Sequence, residues 1–566
     1  MVDPMGLLAN VGMCSRLRCA LLVVTTLAAL PVGSAGAAPS RDRSVDVIVQ
    51  FAPGLPRAER DATVRAAGGR VVRDLHVIDG LEVRVGAAAA RRLSQAAGAR
   101  AVTPNAAVAT DVAAVGDRWG DWNPKALATA FVQSTRTDMV WTNPLWHAAG
   151  AGVAVAVIDT GVAGDIPDFR TSSSDASSRV VATVVTNPGA TTPTDRYGHG
   201  THVAGLIAGN GRALLPSDPA YGRYLGTAPQ ARLVSIKASD DHGNASVADV
   251  IAGLQFVVDH GADYGIRVVN LSLGSTVAMP HRTDPLDAAV EAAWLHGVVV
   301  VAAAGNRGTD ADAVSYAPAN DPYAVTVGAV DDHGTKRTSD DTLAPWSSRG
   351  TTQDGVAKPD LVAPGAHIVA PLAPNSDFRA LCSSCAVDGR YFRVGGTSMA
   401  APIVSGIVAD LLTAHPGWTP DQVKGALTYN SGTVDSTGEP IANLRRTADG
   451  AWEVAADAAL TARNDELVAN VGLTPSAWID PATGSLDLTR ASWGRASWKT
   501  AVDRLRASWG AASWTCNCSS SDATVTATRA SWGRASWKTF FGESPATYGE
   551  LSGGKTGAVF PVQTPR

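Results

Sequence analysis

Three polar residues, each set in a short glycine-containing segment, could together perform nucleophilic acyl transfer. Asp159 lies in VAVAVIDTG, His199 in YGHGTHVAG and Ser398 in VGGTSMAAP, so the chain order is Asp, His, Ser. In this chemistry a hydroxyl attacks a carbonyl carbon, a neutral imidazole takes the hydroxyl proton, and a carboxylate orients the imidazole and stabilises its cation. The three segments therefore predict a site of this kind, and their glycines allow tight turns and close substrate approach.

Two further segments supply what such a site needs besides a nucleophile. Asn306 ends the run VVVVAAAGN. Its side-chain amide and the backbone N–H of Ser398 could both donate to a developing oxyanion. The stretch 270–274, NLSLG, is typical of a strand end with an exposed edge, to which an extended peptide could add as a further strand.

Two other chemistries fit the same residues less well. A DTG sequence also occurs in aspartic proteases, which need two facing carboxylates and therefore two such sequences. No second DTG is present here, and the DSTG of 435–438 is a poor match. His199 and His202 could form a metal pair, yet no third ligand lies near them in the sequence. We expect His202 to be a structural core histidine.

The elements that must position these residues follow from the apolar pattern. Unbroken apolar runs alternate with amphipathic patterns typical of helices, which predicts an α/β domain with a mainly parallel sheet covered by helices on both faces. Ligand sites in such sheets lie at the carboxyl ends of the strands. The runs cover 153–158, 232–236, 266–273, 298–304 and 324–330, and the helical patterns cover 246–260, 287–296 and 401–414.

A smaller unit precedes this domain. Residues 38–112 show the order β-α-β-β-α-β, with a turn at Asp79-Gly80, which predicts a ferredoxin-like α+β sandwich. Residues 113–145 are rich in Trp, Asp and Asn and indicate a linker that leads into the larger domain.

Composition and the N-terminus restrict the class of protein. The 566 residues are 45% hydrophobic and 17% charged with a net charge of −5, which disfavours both a disordered chain and a dedicated nucleic-acid binder. Arg16 and Arg18 precede an apolar run over 20–30 and an Ala-Gly-Ala sequence. This order predicts a secretory signal peptide over 1–37, with a buried helix as the alternative. No later run reaches membrane length, so we expect an exported chain without a membrane span.

Over about residues 140–465, the combined segments resemble the subtilisin-like serine proteases, the subtilase family. The resemblance implies a secreted endopeptidase that needs no cofactor and acts on protein or peptide substrates. It assigns the orienting acid to Asp159, the general base to His199, the nucleophile to Ser398 and the oxyanion donor to Asn306. One cleft wall would be Ser272, Leu273 and Gly274, and the opposite wall Ala303, Ala304 and Gly305.

The resemblance also implies a precursor that processes itself. Residues 38–112 are similar to the family's inhibitory propeptide, which would be cut away somewhere within 105–120, and residues 146–465 would be the catalytic domain. Asp168 matches an acidic ligand of a family calcium site, although its partners do not align, so calcium is a candidate structural ion only. Near Ser315 and Tyr316, where the family shapes its main specificity pocket, no acidic residue stands out, which favours hydrophobic or broad side-chain preference over basic.

The remaining cysteines and the C-terminal part have no family role that the resemblance supplies. Once the signal peptide is removed, Cys382, Cys385, Cys516 and Cys518 remain, which allow three pairings, and we favour Cys382–Cys385. Their spacing does not favour zinc. Residues 466–566 form a tail in which RASWGRASWKT occurs at 490–500 and again at 529–539.

The tail supports a second hypothesis, from a different class of function. The chain could be a cell-surface or matrix binding protein that acts through its Trp-rich tail, with an inert protease domain, because aromatic rings with interleaved arginines suit stacking and cation–π contacts. The alternative for the tail is a low-complexity segment that serves secretion or maturation and not binding. Presence of the full set Asp159, His199, Asn306 and Ser398 favours the enzyme.

Overall fold

The smaller unit has the fold that its sequence pattern predicts. A computed structural model describes residues 44–109, 129–428, 430–434, 440–442, 444–449, 451–460, 462, 469–470 and 558–560. The first part contains β1 Ser44–Phe51, α1 Arg57–Ala66, β2 Arg70–Leu75, β3 Gly80–Gly86, α2 Ala87–Leu93, β4 Ala99–Pro104 and β5 Ala107–Ala109. The antiparallel sheet has the order β2-β3-β1-β4, which confirms the ferredoxin-like prediction.

Strand β1 joins two hydrophobic cores because successive side chains point to opposite faces of a strand. Val47 and Val49 pack with Leu81 and Val83 in the core of the small unit. Ile48, between them, belongs to the core of the large domain. The small unit therefore packs on the large domain through one face of its sheet. Because both faces of β1 are buried, its central residues are apolar without alternation.

The large domain follows, with helices of four to 18 residues around a wide sheet. Its elements are α3 Phe131–Ser134, α4 Thr137–Trp141, β6 Ala154–Asp159, β7 Val180–Val185, α5 His199–Ala208, β8 Arg232–Lys237, β9 Ala245–Ser246, α6 Val247–Tyr264, β10 Ile266–Leu271, β11 Gly274–Ser275, α7 Pro285–Leu295, β12 Val299–Ala303, β13 Val325–Asp331, β14 Thr342–Leu343, β15 Gly350–Thr351, β16 Ala357–Lys358, β17 Leu361–Pro364, β18 Ile368–Pro371, α8 Phe378–Leu381, β19 Ala386–Val387, β20 Tyr391–Val394, α9 Thr397–Ala414, α10 Pro420–Thr428, β21 Asn430–Val434, β22 Pro440–Ala442, β23 Leu444–Arg446, β24 Trp452–Val454, α11 Ala456–Leu460 and β25 Ala558–Phe560.

The central sheet is mainly parallel, as predicted. Its strand order is β23-β24-β17-β13-β12-β10-β6-β8-β7-β25, with β14 paired to β13. Neighbours from β24 to β7 are parallel, and the antiparallel pairs are β23 with β24, β14 with β13 and β25 with β7. The apolar patterns indicated five of these strands. They missed three parallel strands, namely β7, β17 and β24. Strand β7 is as long and as apolar as the strands that were indicated, while β17 and β24 have only four and three residues.

Helices cover both faces of the sheet, which confirms the α/β class. Helices α6 and α7 pack against each other and against β10 and β12, while α5 and α9 pack against each other and against β6. Helix α9 is long and apolar enough to cross a membrane, but 89% of that window is buried inside the protein, as expected of a core helix. Ser246 caps α6 through a reciprocal hydrogen-bond pair with Asp249, so the predicted helix start is accurate.

The region predicted as a linker is partly helical. Within 113–145, the described residues form α3 and α4, with Phe131 and Val140 buried in the main core. Arg136 Nε lies 2.6 Å from Asp457 Oδ2, which ties the end of this segment to α11. The Trp and Asn content suggested a linker because the apolar positions are too few to show a helical period, and burial comes from tertiary contacts.

The disulfide Cys382–Cys385 is present, as favoured from the sequence. The predicted signal peptide, Cys516, Cys518 and the Trp-containing repeats lie outside the described residues. Of the C-terminal part, residues 558–560 form β25, whose backbone pairs with β7 at one edge of the central sheet.

Candidate active site

Asp159 and His199 form a buried hydrogen-bonded pair. Asp159 is the last residue of β6 and His199 is the first residue of α5. His199 Nδ1 lies 2.7 Å from Asp159 Oδ1, and both side chains are fully buried. The same carboxylate oxygen accepts the backbone N–H of Thr160 at 2.7 Å. This contact leaves His199 Nε2, which has no hydrogen-bond partner among the described residues, for proton transfer.

Ser398 is the second residue of α9, the helix that packs against α5. Its hydroxyl donates to the carbonyl oxygen of Ser272 at 3.2 Å, not to His199. In turn, Ser272 Oγ donates to the carbonyl oxygen of Ser398 at 2.8 Å. The hydroxyl of the candidate nucleophile is therefore bonded to the strand edge that is predicted to bind substrate. For attack on a carbonyl, this hydroxyl must rotate toward the imidazole of His199. Catalytic hydrogen bonds of this kind commonly form only with substrate bound.

Asn306 is oriented by a residue that the sequence analysis did not single out. Its Oδ1 accepts hydrogen bonds from the backbone N–H of Thr397 at 3.0 Å and from Thr397 Oγ1 at 3.2 Å. Thr397 Oγ1 also accepts the N–H of Gly305 at 3.0 Å. With the amide oxygen held in this way, the nitrogen is the end that could donate to an oxyanion. The sequence feature that could have identified Thr397 is its position immediately before Ser398.

Asp195 is a second missed residue, and it connects the Asp159 and His199 segments. It accepts the backbone N–H groups of Gly198 and Thr201, and the hydroxyls of Thr201 and Thr160, at 2.7–2.9 Å. Burial raises the pKa of this carboxyl, although the four hydrogen bonds act in the opposite direction. The sequence feature that could have identified Asp195 is its position four residues before His199.

The predicted substrate edge is occupied by the small unit. Strand β5 pairs antiparallel with β11, with Ala109 opposite Gly274 and Val108 opposite Ser275. On its other side β5 pairs with β9, with Val108 opposite Ala245. The end of the small unit thus lies between two strands of the large domain as an extended peptide.

The two predicted cleft walls meet at one pocket. A pocket open to solvent is lined by Leu273 and Gly274 from one wall and by Ala303, Ala304 and Gly305 from the other. Ala109 of the small unit borders it. Five of the six predicted substrate-binding residues therefore lie around one pocket, and the sixth, Ser272, contacts Ser398.

Asp168, the residue that matches a family calcium ligand, is hydrogen-bonded to a protein side chain in this structure. Asp168 is buried and accepts a hydrogen bond from the Tyr391 hydroxyl at 3.2 Å, and burial raises its pKa to about 6. Within the described part of the chain, no group of three or more acidic, histidine or cysteine residues could hold a metal.

His202 has the structural environment that we expected. It is fully buried, and its Nε2 lies 2.9 Å from the carbonyl oxygen of Phe392. Burial lowers its pKa to about 3, so the ring stays neutral. It does not share a metal site with His199 among the described residues.

A mainly parallel sheet with a buried Asp–His pair, a helix-initial serine and a docked inhibitor-like unit defines a class: the subtilisin-like hydrolases. Consistent with this, the Subtilase family model matches residues 150–461, more than half of the chain, and a model described as a putative peptidase inhibitor domain matches residues 26–105. The chain belongs to the subtilase family.

Several known proteins are similar to this chain. It is 39% identical over 283 residues to the serine protease AprX of Bacillus subtilis, covering 49% of this chain and 61% of AprX. It is 34% identical over 288 residues to subtilisin Savinase of Lederbergia lenta, covering 51% of this chain and 86% of Savinase.

A solved structure is also similar to the fold described here. Fervidolysin of Fervidobacterium pennivorans, a keratinolytic enzyme related to subtilisin, aligns with a TM-score of 0.52 at 26% identity, covering 74% of this chain and 61% of fervidolysin. The chain thus spans about three fifths of the length of both AprX and fervidolysin.

Proposed function

We propose that this chain is a secreted serine endopeptidase, made as a precursor that cleaves itself. The observation that carries the proposal is the buried 2.7 Å contact between Asp159 and His199 at the start of the helix that packs on the Ser398 helix. The binding-protein hypothesis is not favoured, because an inert domain has no need to retain this buried pair.

In the proposed reaction, Ser398 Oγ attacks the carbonyl carbon of the substrate and gives its proton to His199 Nε2. Asp159 accepts the Nδ1–H bond and stabilises the imidazolium. The amide nitrogen of Asn306 and the backbone N–H of Ser398 bind the resulting oxyanion. His199 then returns the proton to the leaving amine as the C–N bond breaks, and water hydrolyses the acyl-enzyme by the same steps.

The proposed inhibitor is the chain's own small unit. Residues 38–112 would hold β5 in the cleft until a cut within 105–120 frees it, and residues 146–465 would be the catalytic domain. Pairing of β5 with both β11 and β9 supports this arrangement, since it is the pairing that an extended substrate would use. Removal of a signal peptide over 1–37 would precede these steps on export.

A fluorophosphonate probe tests the nucleophile. We expect the wild-type chain to be labelled and Ser398→Ala to be unlabelled and uncut within 105–120, because both reactions need the Ser398 hydroxyl. Ser172→Ala, which removes an exposed loop hydroxyl, is the matched control and should behave as wild type. Labelling that survives in Ser398→Ala would overturn the assignment, and normal maturation of that variant would indicate an outside processing enzyme.

A further inference from the structure

The pocket between the two cleft walls carries a single charged residue among its described lining residues, and that residue is Arg307. Small residues, including Ala313 and Ala319, form much of the rest of the lining. The Arg307 guanidinium carbon lies 3.9 Å from the centre of the Tyr316 ring. Because the other described lining residues are uncharged, this cation favours one charge of substrate side chain over the other.

The guanidinium is positioned by stacking and not by an ion pair. The Tyr316 hydroxyl donates to the Asp312 carboxylate, which fixes the ring that Arg307 covers. Within the described part of the chain, Arg307 forms no ion pair of its own. Stacking of this kind leaves the planar set of N–H donors able to bind a carboxylate with two hydrogen bonds.

The pocket is placed to receive the side chain of the residue that precedes the cleaved bond. Arg307 follows Asn306 directly, so the pocket begins beside the group proposed to bind the oxyanion. If Asn306 binds the carbonyl oxygen of the substrate residue before the cleaved bond, the side chain of that same substrate residue lies only a few bond lengths away. Gly305, the neighbour of Asn306, lines the pocket. An acidic side chain there would reach Arg307.

The pairing of β5 gives independent support from this chain's own sequence. In the antiparallel register that sets Ala109 opposite Gly274, the position opposite Ser272 in an extended substrate is two residues further along the substrate. Ser272 is the residue whose carbonyl contacts the Ser398 hydroxyl. Two residues after Ala109 the sequence has Asp111, an acidic residue inside the interval proposed for the first cut.

We propose that Arg307 makes this enzyme prefer an acidic residue immediately before the cleaved bond, an inference that rests on the proposed endopeptidase function. This replaces the hydrophobic or broad preference that the segment around Ser315 and Tyr316 suggested. That expectation asked only whether an acidic residue stands out there, whereas the charge comes from Arg307, which stacks on the Tyr316 ring.

Matched peptides that differ only in the residue before the cleaved bond test the proposal. For the mature wild-type enzyme we expect kcat/KM to be roughly two- to fivefold higher for Glu than for Gln at this position, the size expected of one exposed charge pair. Arg307→Gln should abolish that ratio, Arg307→Lys should retain part of it, and Arg307→Glu should reverse the preference toward Lys. High salt should reduce the wild-type ratio.

Arg337→Gln is the control, because Arg337 is an exposed arginine that pairs with Asp340 outside the pocket. This variant should keep the wild-type ratio. Equal rates for Glu and Gln peptides, or a Glu preference that persists in Arg307→Gln, would overturn the inference while leaving the proposed function intact. Failure of the wild-type enzyme to hydrolyse any of the peptides would overturn the proposed function and this inference together.

Discussion

At the scale of single residues, the site depends on polar side chains that are held by their own neighbours. Asp195 joins the two segments that carry Asp159 and His199, and Thr397 fixes the amide of Asn306. Neither residue needs to touch substrate for this role. Both would act by restricting the orientation of a group proposed to contact substrate, which is how electrostatic preorganisation lowers a barrier.

Thr397→Val tests this positioning. The substitution keeps the branched shape and the backbone N–H but removes the hydroxyl that bonds Asn306 and Gly305. We expect kcat to fall by roughly fivefold with KM nearly unchanged, because about 1 kcal/mol of orienting hydrogen bond is lost. Thr397→Ser should recover most of the rate in steady-state assays. A fall in kcat that Ser does not rescue would contradict the role of the hydroxyl.

Buried carboxyls of α7 give the protein a stability that depends on pH. Burial raises the pKa of Asp287 well above its ordinary value, and Asp284 beside it adds to the shift. Burial also raises the pKa of Asp284 to about 7. The folded state therefore keeps protons that the unfolded state releases from about pH 4 upward, so stability falls as pH rises from about 4 to 7 and does not recover above it.

Asp287→Asn should relieve this cost, since it removes one buried charge without changing size. In a Ser398→Ala background, which prevents self-digestion, we expect the melting temperature to rise at pH 8.5 by more than it does at pH 5, with roughly 2–4 °C for each kcal/mol recovered. Asp310→Asn, at an exposed position, is the control. An equal change at both pH values would show that the carboxyl of Asp287 is not the source.

At the scale of elements, the parallel strands bring distant segments to one edge. Asp159 ends β6, and Ser272 and Asn306 follow β10 and β12 by a few residues, while His199 and Ser398 begin two helices that pack together. The small unit docks on α6 by a buried ion pair, since Arg73 Nη2 lies 2.9 Å from Asp249 Oδ1 and Arg73 Nε lies 3.3 Å from Glu82. Its sheet thus holds β5 in place.

Arg73→Met should weaken this docking. Removing the guanidinium leaves two buried carboxylates without their cation, a loss of about 3–5 kcal/mol in comparable buried pairs. We expect the interval between the first cut and the appearance of peptide hydrolysis to shorten, as followed by gel electrophoresis and assay in parallel. Arg84→Met is the control, because its pair with Asp46 is exposed. An unchanged interval would argue against docking through Arg73.

At the scale of the whole molecule, three parts of the chain pair through strands, in two separate sheets. The large domain supplies the parallel strands of the central sheet, and β25 from the C-terminal part pairs with β7 at the edge of that sheet. The small unit inserts β5 between β11 and β9 in a separate three-stranded sheet. Unpaired edges invite association with other chains, and β25 covers one. The C-terminal part therefore pairs at the edge of the central sheet. In the strand order, β8 lies between β7 and β6, the nearest strand that carries a proposed site residue.

Deletion of residues 471–566 separates stability from catalysis. We expect turnover of a short soluble peptide, normalised to probe-labelled enzyme, to stay at the wild-type level because β7 bears none of the proposed catalytic groups. The melting temperature should fall, since the edge of β7 loses its partner. Loss of normalised turnover would mean that the C-terminal part belongs to the catalytic fold.

The sequence by itself determined the family, the α/β class and the ferredoxin-like unit, because these depend on short motifs and on the period of apolar residues along the chain. It also named the candidate residues Asp159, His199, Ser398 and Asn306, whose roles remain predictions. Only the tertiary structure decided which side chains meet across the fold: Asp195 with Thr160, Arg73 with Asp249, and Arg307 with Tyr316. Such contacts depend on how strands and helices are placed against one another, and local sequence patterns carry no record of that placement.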